Sequence, residues 1–552
     1  MNREFTPKLL SVLREGVSKQ QLSKDILSGI IVGIVALPLA IAFAIASGVS
    51  PEKGLITAIV AGLAISTFGG SRVQIGGPTG AFIVIVYGIV VEYGVEGLTV
   101  ATFLAGFLIM LMGFLRLGRL LKYFPYTLIT GFTTGIAVII FSSQIKDLLG
   151  LEMEAVPAPF IDKWAAYAGH LSSFNPYALG IGLVTILITL YFPKVTTRVP
   201  GSLIAILVAT WAVYYFQLPV DTIATRFGDI PQSIPKPQFY RVDLDTVRNL
   251  LQPALAIALL GGIESLLSAV VADGMTGGRH RSNMELVAQG AANILSSMFG
   301  GIPATGAIAR TATNIKNGGR TPIAGIVHAL TLLLIMLVAA PLAKHIPLAC
   351  LAGILVVVAY NMSELHAFFG IFKTNRYDIA VLLSTFLLTV VFDLVIAIEI
   401  GMVMAAFLFM KRMADATELG QLFLSEGSNG EEHMFEQELP SIPREVLMYE
   451  INGPLFFGAA QKFSDTLKNV IGDHHRILLL RMRNVPIIDA TGMQRLKEVI
   501  HFLRSRQMEV VLSGVSPVIR EQLLRSEIIE DAYIQESVED ALVFIRNRLA
   551  SP

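Results

Sequence analysis

The chain has 552 residues, of which 53% are hydrophobic and only 15% are charged, and its mean hydropathy of +0.65 is too high for a soluble protein of this size. Its 42 basic and 42 acidic residues balance, so nothing predicts a nucleic-acid partner. The single cysteine, Cys350, excludes a disulfide framework within the chain and gives no zinc site. We therefore expect a polytopic membrane protein whose partners are small solutes and lipid.

Residues 1–24 form a polar arm without an evident cleavable signal peptide. Apolar residues around Leu9, Leu10, Val12 and Leu13 have the spacing of a short amphipathic surface helix. A plain cytoplasmic tail is the alternative interpretation.

Fourteen apolar spans follow, and together they predict a transmembrane domain over residues 25–412. Several are shorter than the roughly 20 residues that a bilayer crossing needs. Division at the polar stretch 217–252 gives seven spans and seven, and an odd number inverts the second half relative to the first. The spans are 26–47, 55–69, 77–91, 98–115, 124–143, 177–192, 202–216, 253–272, 286–300, 304–313, 322–343, 347–359, 377–392 and 394–410.

Two of the short spans begin with turn-prone sequences, GPTGA at 77–81 and PATGA at 303–307. Proline and glycine end regular backbone and threonine caps a following helix, so each sequence predicts a helix that starts inside the membrane. Thr79 lies 41 residues after Pro38, and Thr305 lies 41 residues after Glu264, which indicates related copies. Paired broken helices in two halves of a chain are typical of a transporter binding site.

The distribution of lysine and arginine predicts the orientation. Fourteen such residues fall in loops on one side, against eight on the other, so the first side is cytoplasmic and both termini face the cytoplasm.

Composition changes abruptly after Arg412. We expect a polar linker over 413–439 and a domain of soluble character over 440–552, in which predicted strands and helices alternate. That alternation is typical of a small α/β fold with a mainly parallel sheet.

Several stretches in a fixed order along the chain carry a family resemblance. They are 36–44 (ALPLAIAFA), 77–82 (GPTGAF), 262–267 (GIESLL), 272–277 (ADGMTG), 305–310 (TGAIAR) with Asn314 and 318–320 (GGR), and 361–364 (NMSE). Over essentially its whole length the chain resembles the sulfate permease family, bacterial relatives of the anion transporters of solute carrier family 26. Within that family it is most similar to the bacterial members that take up C4-dicarboxylates.

The resemblance implies fourteen transmembrane segments arranged as inverted repeats of seven plus seven. A core domain of spans 1–4 and 8–11 would carry the anion and move against a gate domain of the remaining spans. It also implies that 440–552 is a cytoplasmic STAS domain, which would support a homodimer or dock a cytoplasmic protein. The soluble relatives of this domain are phosphorylated in a loop that matches 489–492 (DATG) here, which makes Thr491 the candidate phosphorylation site. A simple helix cap at Thr491 is the alternative.

The two half-helix starts would bind an anion through free backbone N–H groups and the positive ends of their dipoles. Arg310 follows closely and would favour substrates with more than one negative charge. Ordinary helix kinks, aromatic packing and, for Arg310, a structural ion pair or a lipid-facing position are the alternatives. The predicted substrate-binding residues are Phe43, Thr79, Gly80, Ala81, Phe82, Ala307, Ile308, Ala309 and Arg310.

Glu264 is the only carboxylate within span 8. Ionising it without a partner would be costly, which suits a proton-coupling residue, whereas a permanent salt bridge to Arg310 is the alternative. A cation site at Glu264, Ser268 and Thr305 is a further alternative. The family pattern of sodium-dependent members has a threonine where this chain has Ile308, however, which argues against sodium.

The sequence contains no catalytic set, metal-ligand cluster or cofactor motif, so we expect no enzyme activity and no cofactor. The predicted function is proton-coupled symport of C4-dicarboxylates across a bacterial cytoplasmic (inner) membrane. Bicarbonate or sulfate transport, an uncoupled exchanger or channel, and a sensor that presents the STAS domain are the alternatives.

Overall fold

A computed structural model describes residues 3–118, 125–153, 156–157, 159–195, 200–229, 231–233, 235–238, 244–392, 394–415, 418–421, 442–443, 445–470 and 475–550. Most of the predicted linker, 413–439, lies outside these residues. The chain forms two compact units, Met1–Met402 and Val403–Pro552.

The described residues up to 415 form helices and the loops that join them, apart from two very short strands. Its α-helices are α1 Lys8–Glu15, α2 Lys19–Ala46, α3 Pro51–Phe68, α4 Ile83–Phe114, α5 Tyr126–Leu149, α6 Phe160–Gly169, α7 Pro176–Tyr191, α8 Gly201–Phe216, α9 Ile223–Phe227, α10 Leu244–Thr276, α11 Ser282–Met298, α12 Ile308–Lys316, α13 Ile323–Ala343, α14 Leu348–Met362, α15 Leu365–Ile371, α16 Arg376–Val391 and α17 Leu394–Asp415. Each of the fourteen predicted apolar spans overlaps one of these helices.

Six helical segments in the described residues are long and apolar enough to cross a membrane. They are Lys19–Ala46, Gly80–Phe114, Tyr126–Leu149, Pro176–Lys194, Leu244–Thr276 and Leu348–Ile371. Gly201–Phe216 and Ile323–Val338 are shorter apolar helices. The prediction of a polytopic helical membrane domain is therefore confirmed, whereas the count of fourteen crossings stays a prediction.

The third and fourth predicted spans run together as α4. Gly94 interrupts that helix with φ 70° and ψ −177°, a conformation that side-chain-bearing residues avoid. The break falls between the two predicted spans, so the single apolar run contains two helices.

Helices approach one another most closely where both carry small residues, as is usual for helix packing in membranes. A Cβ added to Gly106 in α4 would lie 2.7 Å from the carbonyl oxygen of Gly290 in α11. The same addition to Gly54 in α3 would lie 2.0 Å from the carbonyl oxygen of Ala40 in α2. Glycine is therefore required at both contacts.

The N-terminal arm contains the expected short helix, α1. The backbone N–H of Lys8 donates to the carbonyl of Gly69 at 2.9 Å, and Arg72 forms an ion pair with Glu15 at 2.6 Å. The helix is thus attached to the loop that follows α3.

Two short strands, β1 Gly76–Gly77 and β2 Thr305–Gly306, form an antiparallel pair inside the membrane unit. They precede the two predicted half-helices, so the breaks of both halves meet at one point.

The second unit contains a five-stranded sheet and four helices. The strands are β3 Glu418–Gln421, β4 Val446–Asn452, β5 Ile477–Asn484, β6 Glu509–Ser513 and β7 Ile534–Gln535, and the helices are α18 Phe457–Val470, α19 Ala490–Ser505, α20 Pro517–Arg525 and α21 Val538–Ala550. The strand order is β3-β4-β5-β6-β7. β3 pairs antiparallel with β4, and the other pairs are parallel.

Alternate residues of β4 enter two separate hydrophobic clusters, as expected for a strand buried on both faces. Leu447 and Ile451 pack with α18, α19 and α20, whereas Val446 and Met448 pack with α21. The predicted α/β layer fold with a mainly parallel sheet is confirmed.

Candidate anion-binding site

The β1–β2 pair brings the two predicted helix breaks together. Gly77 lies opposite Thr305, and the N–H of Ala307 donates to the carbonyl of Ile75 at 2.8 Å. The N–H of Ile75 donates to Thr311 Oγ1 at 3.0 Å. Backbone and side-chain bonds therefore fix the start of one half-helix against the start of the other.

A helix begins directly after each break. Gly80–Phe82 forms a 3-10 turn that continues into α4, and α12 begins at Ile308 with Ala307 at its N-cap. The first N–H groups of a helix have no partner within it, and the helix dipole places partial positive charge there. The arrangement suits a small anion.

Thr79 and Glu264 form a direct contact between the first break and α10. The hydroxyl of Thr79 donates to Oε2 of Glu264 at 2.9 Å. Glu264 is partly buried in the middle of the apolar helix α10. A carboxylate is thus hydrogen-bonded to the residue that precedes the first half-helix.

Arg310 lies on α12 with only 2% of its surface exposed. Its Nη2 donates to the carbonyl of Pro78, whereas Nη1 has no hydrogen-bond partner among the described residues. No ion pair joins Arg310 to Glu264, both of which the structure describes, so the permanent salt bridge considered above is not formed. A Cβ at Gly77, where φ is 148°, would lie 2.5 Å from Nη1, so the guanidinium requires glycine here.

The two predicted aromatic residues contact different neighbours of the first half-helix. A Cβ added to Gly80 would lie 3.4 Å from the ring of Phe43, 3.1 Å from Sδ of Met362 and 3.3 Å from Ile140. Phe82 is 1% exposed, and its ring packs against Gly261 on α10. Phe43 therefore borders Gly80 directly, whereas Phe82 contacts α10.

The first residues of the second half-helix are more exposed than those of the first half-helix. Thr79, Gly80, Ala81 and Ala307 are buried, whereas Ile308 and Ala309 are exposed. The predicted substrate residues therefore divide into a buried group at the strand crossing and an exposed pair on the first turn of α12.

The side chains considered for a cation site make other contacts. Ser268 donates to Thr311 Oγ1 at 3.4 Å, and Thr305 donates to the carbonyl of Gly261 at 2.9 Å. Neither hydroxyl bonds Glu264. Among the described residues, no group of three or more His, Cys, Asp or Glu side chains is arranged to hold a metal ion.

Glu285 was missed in the sequence, although it holds the loop before β1. Its Oε2 accepts from the N–H groups of Gly70 and Ser71 at 2.8 and 3.0 Å, and its Oε1 accepts from Gln289 at 3.1 Å. The side chain is fully buried. A carboxylate in the first turn of a helix usually indicates a favourable dipole contact, and that signal does not show that the partner is a distant loop.

In the second unit, Thr491 is exposed in the first turn of α19. Asp489 is the N-cap of that helix, since its Oδ1 accepts from the N–H of Gly492 at 2.6 Å. Thr491 is therefore not the capping residue, and its hydroxyl is accessible.

Two helix starts converge within a polytopic helical domain, and an α/β domain follows along the chain. This combination fits the class of membrane anion transporters. Residues 22–385 match the Sulfate permease family, and residues 438–541 match the STAS domain. The chain belongs to the sulfate permease family and is an anion transporter, not an enzyme.

Relatives over almost the whole chain include YvdB of Bacillus subtilis, named as a candidate sulfate transporter, with 43% identity over 92% of this chain and 94% of the relative. The bicarbonate transporter BicA of Picosynechococcus is 31% identical over 90% of each chain.

Solved structures support the fold. The structure of murine solute carrier 26 family member A9, an anion transporter in the inward-facing state, matches with a TM-score of 0.87 at 18% identity, over 98% of this chain and 94% of that one. The transmembrane domain of a cyanobacterial BicA matches with a TM-score of 0.63 at 32% identity, over 69% of this chain and 98% of that one.

Proposed function

We propose that this anion transporter takes up dianions together with protons by alternating access, and that C4-dicarboxylates such as succinate and fumarate are its substrates. The observation that carries the proposal is the 2.9 Å hydrogen bond between Thr79 and Glu264, which joins a titratable carboxylate to the start of the first half-helix. An ionised Glu264 repels an anion at that helix start, whereas a protonated one does not. Proton and anion therefore favour each other's binding, as symport requires.

The preference for a dianion is supported by Arg310, whose buried Nη1 lacks a partner among the described residues. A buried cation with an unused donor beside two helix N-termini favours a ligand with more than one negative charge. The backbone donors do not distinguish a carboxylate from a sulfate oxygen.

Sulfate is the second candidate, since it is also a dianion and YvdB, 43% identical, is named for it. Bicarbonate is the third, through the relationship to BicA. Sodium coupling has less support than proton coupling, because Ser268 and Thr305 hydrogen-bond to groups other than Glu264. An uncoupled exchanger or channel is the remaining alternative.

The test is uptake by purified protein in liposomes, with labelled succinate, fumarate, sulfate, bicarbonate and chloride under separate proton and sodium gradients. We expect accumulation of the C4-dicarboxylates, driven by an inward proton gradient without sodium. Strong uptake of sulfate or bicarbonate with no response to dicarboxylates would refute the substrate. Sodium-driven uptake that is insensitive to pH would refute the coupling.

The proposal includes an inner-membrane location with both termini in the cytoplasm, supported by the excess of basic residues on that side. It also includes a homodimer and a regulatory role for Thr491. A phosphate at an exposed residue of a helix's first turn is electrostatically favourable, so modification there is expected without unfolding the domain. Equal transport by the Thr491→Asp and Thr491→Ala variants would contradict that role.

A further inference from the structure

A cavity of about 1020 Å³ opens within the membrane unit on the side of the C-terminal end of α2. Its lining includes Lys146, Lys163 and Arg226, and it extends inward to Ile83, the first residue after the Gly80–Phe82 turn. The three cations belong to loops and helix ends that the charge distribution places outside the cell. The cavity thus leads from the outer side towards the first half-helix.

Lys163 is the unusual member of this lining, since it is only 4% exposed. Its Nζ lies 5.8 Å from the ring centre of Tyr87, and it has no hydrogen bond or ion pair within the described part of the chain. Burial lowers the pKa of Lys163, because the ammonium loses its surrounding water and no carboxylate among the described residues offsets that loss. A buried cation that faces a cavity without a partner is suited to an anion that comes from solution.

The surroundings hold Lys163 in place. Trp164 Nε1 donates to Ser142 Oγ at 3.2 Å, and the hydroxyl of Tyr167 donates to the carbonyl of Ser142 at 3.0 Å, so two residues that follow this lysine in α6 are hydrogen-bonded to α5. The hydroxyl of Tyr87 donates to the carbonyl of Val156 at 2.6 Å, which fixes the ring beneath the ammonium. The position of Lys163 is therefore fixed by hydrogen bonds of the residues around it.

The other charged side chains that line the cavity differ in how many of their donors are already hydrogen-bonded. Arg226 is engaged with Asp147 at 2.7 Å and with Asp221 at 3.0 Å. Lys146 donates to the carbonyl of Met153 at 2.6 Å, which uses one of its three donors. Among the lining residues that the structure describes, the remaining carboxylate is Glu92, which is exposed to solvent, where its repulsion is screened. Lys163 and Lys146 therefore provide the free donors.

We propose that Lys163 and Lys146 form a second anion site in the outer cavity, which captures a small oxyanion before it reaches the half-helices. The proposal deepens the proposed function, on which it rests for the identity of the transported anion. Binding in the cavity is measurable without transport.

The tryptophan beside Lys163 offers a direct measurement. The chain has two tryptophans, so Trp211→Phe leaves Trp164 as the only one. In that full-length background in detergent, iodide should quench Trp164 strongly, and sulfate should reduce that quenching. Lys163→Gln should lower the iodide quenching constant about threefold or more, because the local anion concentration follows the local charge. Quenching by neutral acrylamide should not change.

Lys163→Arg should retain the iodide response. Lys344→Gln should retain it as well, because this lysine of the outer side does not line the cavity and is paired with Asp229 at 2.8 Å. Unchanged acrylamide quenching and gel-filtration elution show that the variants are folded. Equal iodide quenching with and without Lys163, or no effect of sulfate, would overturn the site.

Uptake measurements separate this proposal from the proposed function. With protein oriented in liposomes, Lys163→Gln should raise the half-saturating anion concentration on the outer side by about fivefold to tenfold, the loss expected for one charged contact. An intact iodide response without uptake of any anion would refute the proposed function and support the outer site. A second outcome is uptake that is driven by the proton gradient, with the same iodide quenching and the same half-saturating anion concentration in Lys163→Gln as in the unmodified protein. That outcome would support the proposed function and refute the outer site.

Discussion

In the proposed function, proton coupling depends on Glu264, whose carboxylate accepts from Thr79 at the start of the first half-helix. Glu264→Gln keeps the shape of the side chain but cannot titrate, so it should abolish accumulation driven by a pH gradient while anion exchange continues. The measurement is labelled succinate uptake in proteoliposomes, with and without the gradient. Glu96→Gln is the matched control, since Glu96 is an exposed carboxylate of α4. Gradient-driven accumulation by Glu264→Gln would rule out its role.

Arg310 sets the charge preference in the same proposal. Arg310→Ala should weaken binding of a dianion by about 1–3 kcal/mol, the value of a charged hydrogen bond in a buried site, and should weaken a monoanion much less. Competition by sulfate and by chloride against a labelled substrate measures both effects. Arg310→Lys keeps the charge, so its affinity for a dianion should lie between that of the unmodified protein and that of Arg310→Ala. An equal loss for sulfate and chloride would show that Arg310 supports the backbone through Pro78 and has no role in selecting charge.

Glycine contacts decide how closely the membrane helices pack, so a larger residue at such a contact should destabilise the protein. Gly54→Ala would place a Cβ 2.0 Å from the carbonyl oxygen of Ala40, which is backbone and cannot rotate away. Overpacking of this kind costs about 1–3 kcal/mol, so the melting temperature of the purified protein should fall. Gly180→Ala in α7 meets nothing within 4 Å and should leave it unchanged or raise it slightly. Equal melting temperatures for the two variants would contradict the α2–α3 contact.

The helices and the two breaks were predictable because their signals are local. Proline and glycine within apolar runs predict the helix starts after Gly77 and Thr305, and the equal spacing from Pro38 and Glu264 indicates related copies. The bonds from Thr79 to Glu264 and from Glu285 to Gly70 join residues about two hundred positions apart. They depend on how each helix is rotated about its axis, which apolar composition on all sides of a membrane helix leaves undetermined.

The whole molecule consists of two units with separate cores, and both hydrophobic clusters of the second unit lie within residues 440–552, so this fragment should fold alone although it lacks the edge strand β3. Residues 440–552 contain hydrophobic clusters on both faces of the parallel sheet. We expect this fragment to be soluble and to unfold in one cooperative transition, measured by circular dichroism. A fragment without a cooperative transition would show that the domain needs the membrane unit to fold.

The same division allows a test of assembly. A chain that ends at Lys411 should lose the dimer proposed for the full-length protein, because the resemblance assigns dimerisation to the STAS domain. Light scattering with detergent correction gives the mass of each form, and the abundance of the truncated chain in membranes serves as the control for folding. Unchanged mass, abundance and transport after truncation would assign the domain no role in assembly.

In the proposed function, the pairing of β1 with β2 limits how the substrate range can change. Gly76 and Gly306, and likewise Gly77 and Thr305, are joined through the backbone, and a Cβ on Gly306 would lie 1.5 Å from Nε2 of Gln74. The two helix starts are therefore held at a constant separation, which no side-chain substitution adjusts without breaking the strand pair. A related chain that accepts a larger anion must gain the space elsewhere, at residues such as Met362 and Ile140 that border Gly80 from other helices. In related chains we therefore expect the distance between the two helix starts to stay constant, and substrate specificity to change through the residues that surround them.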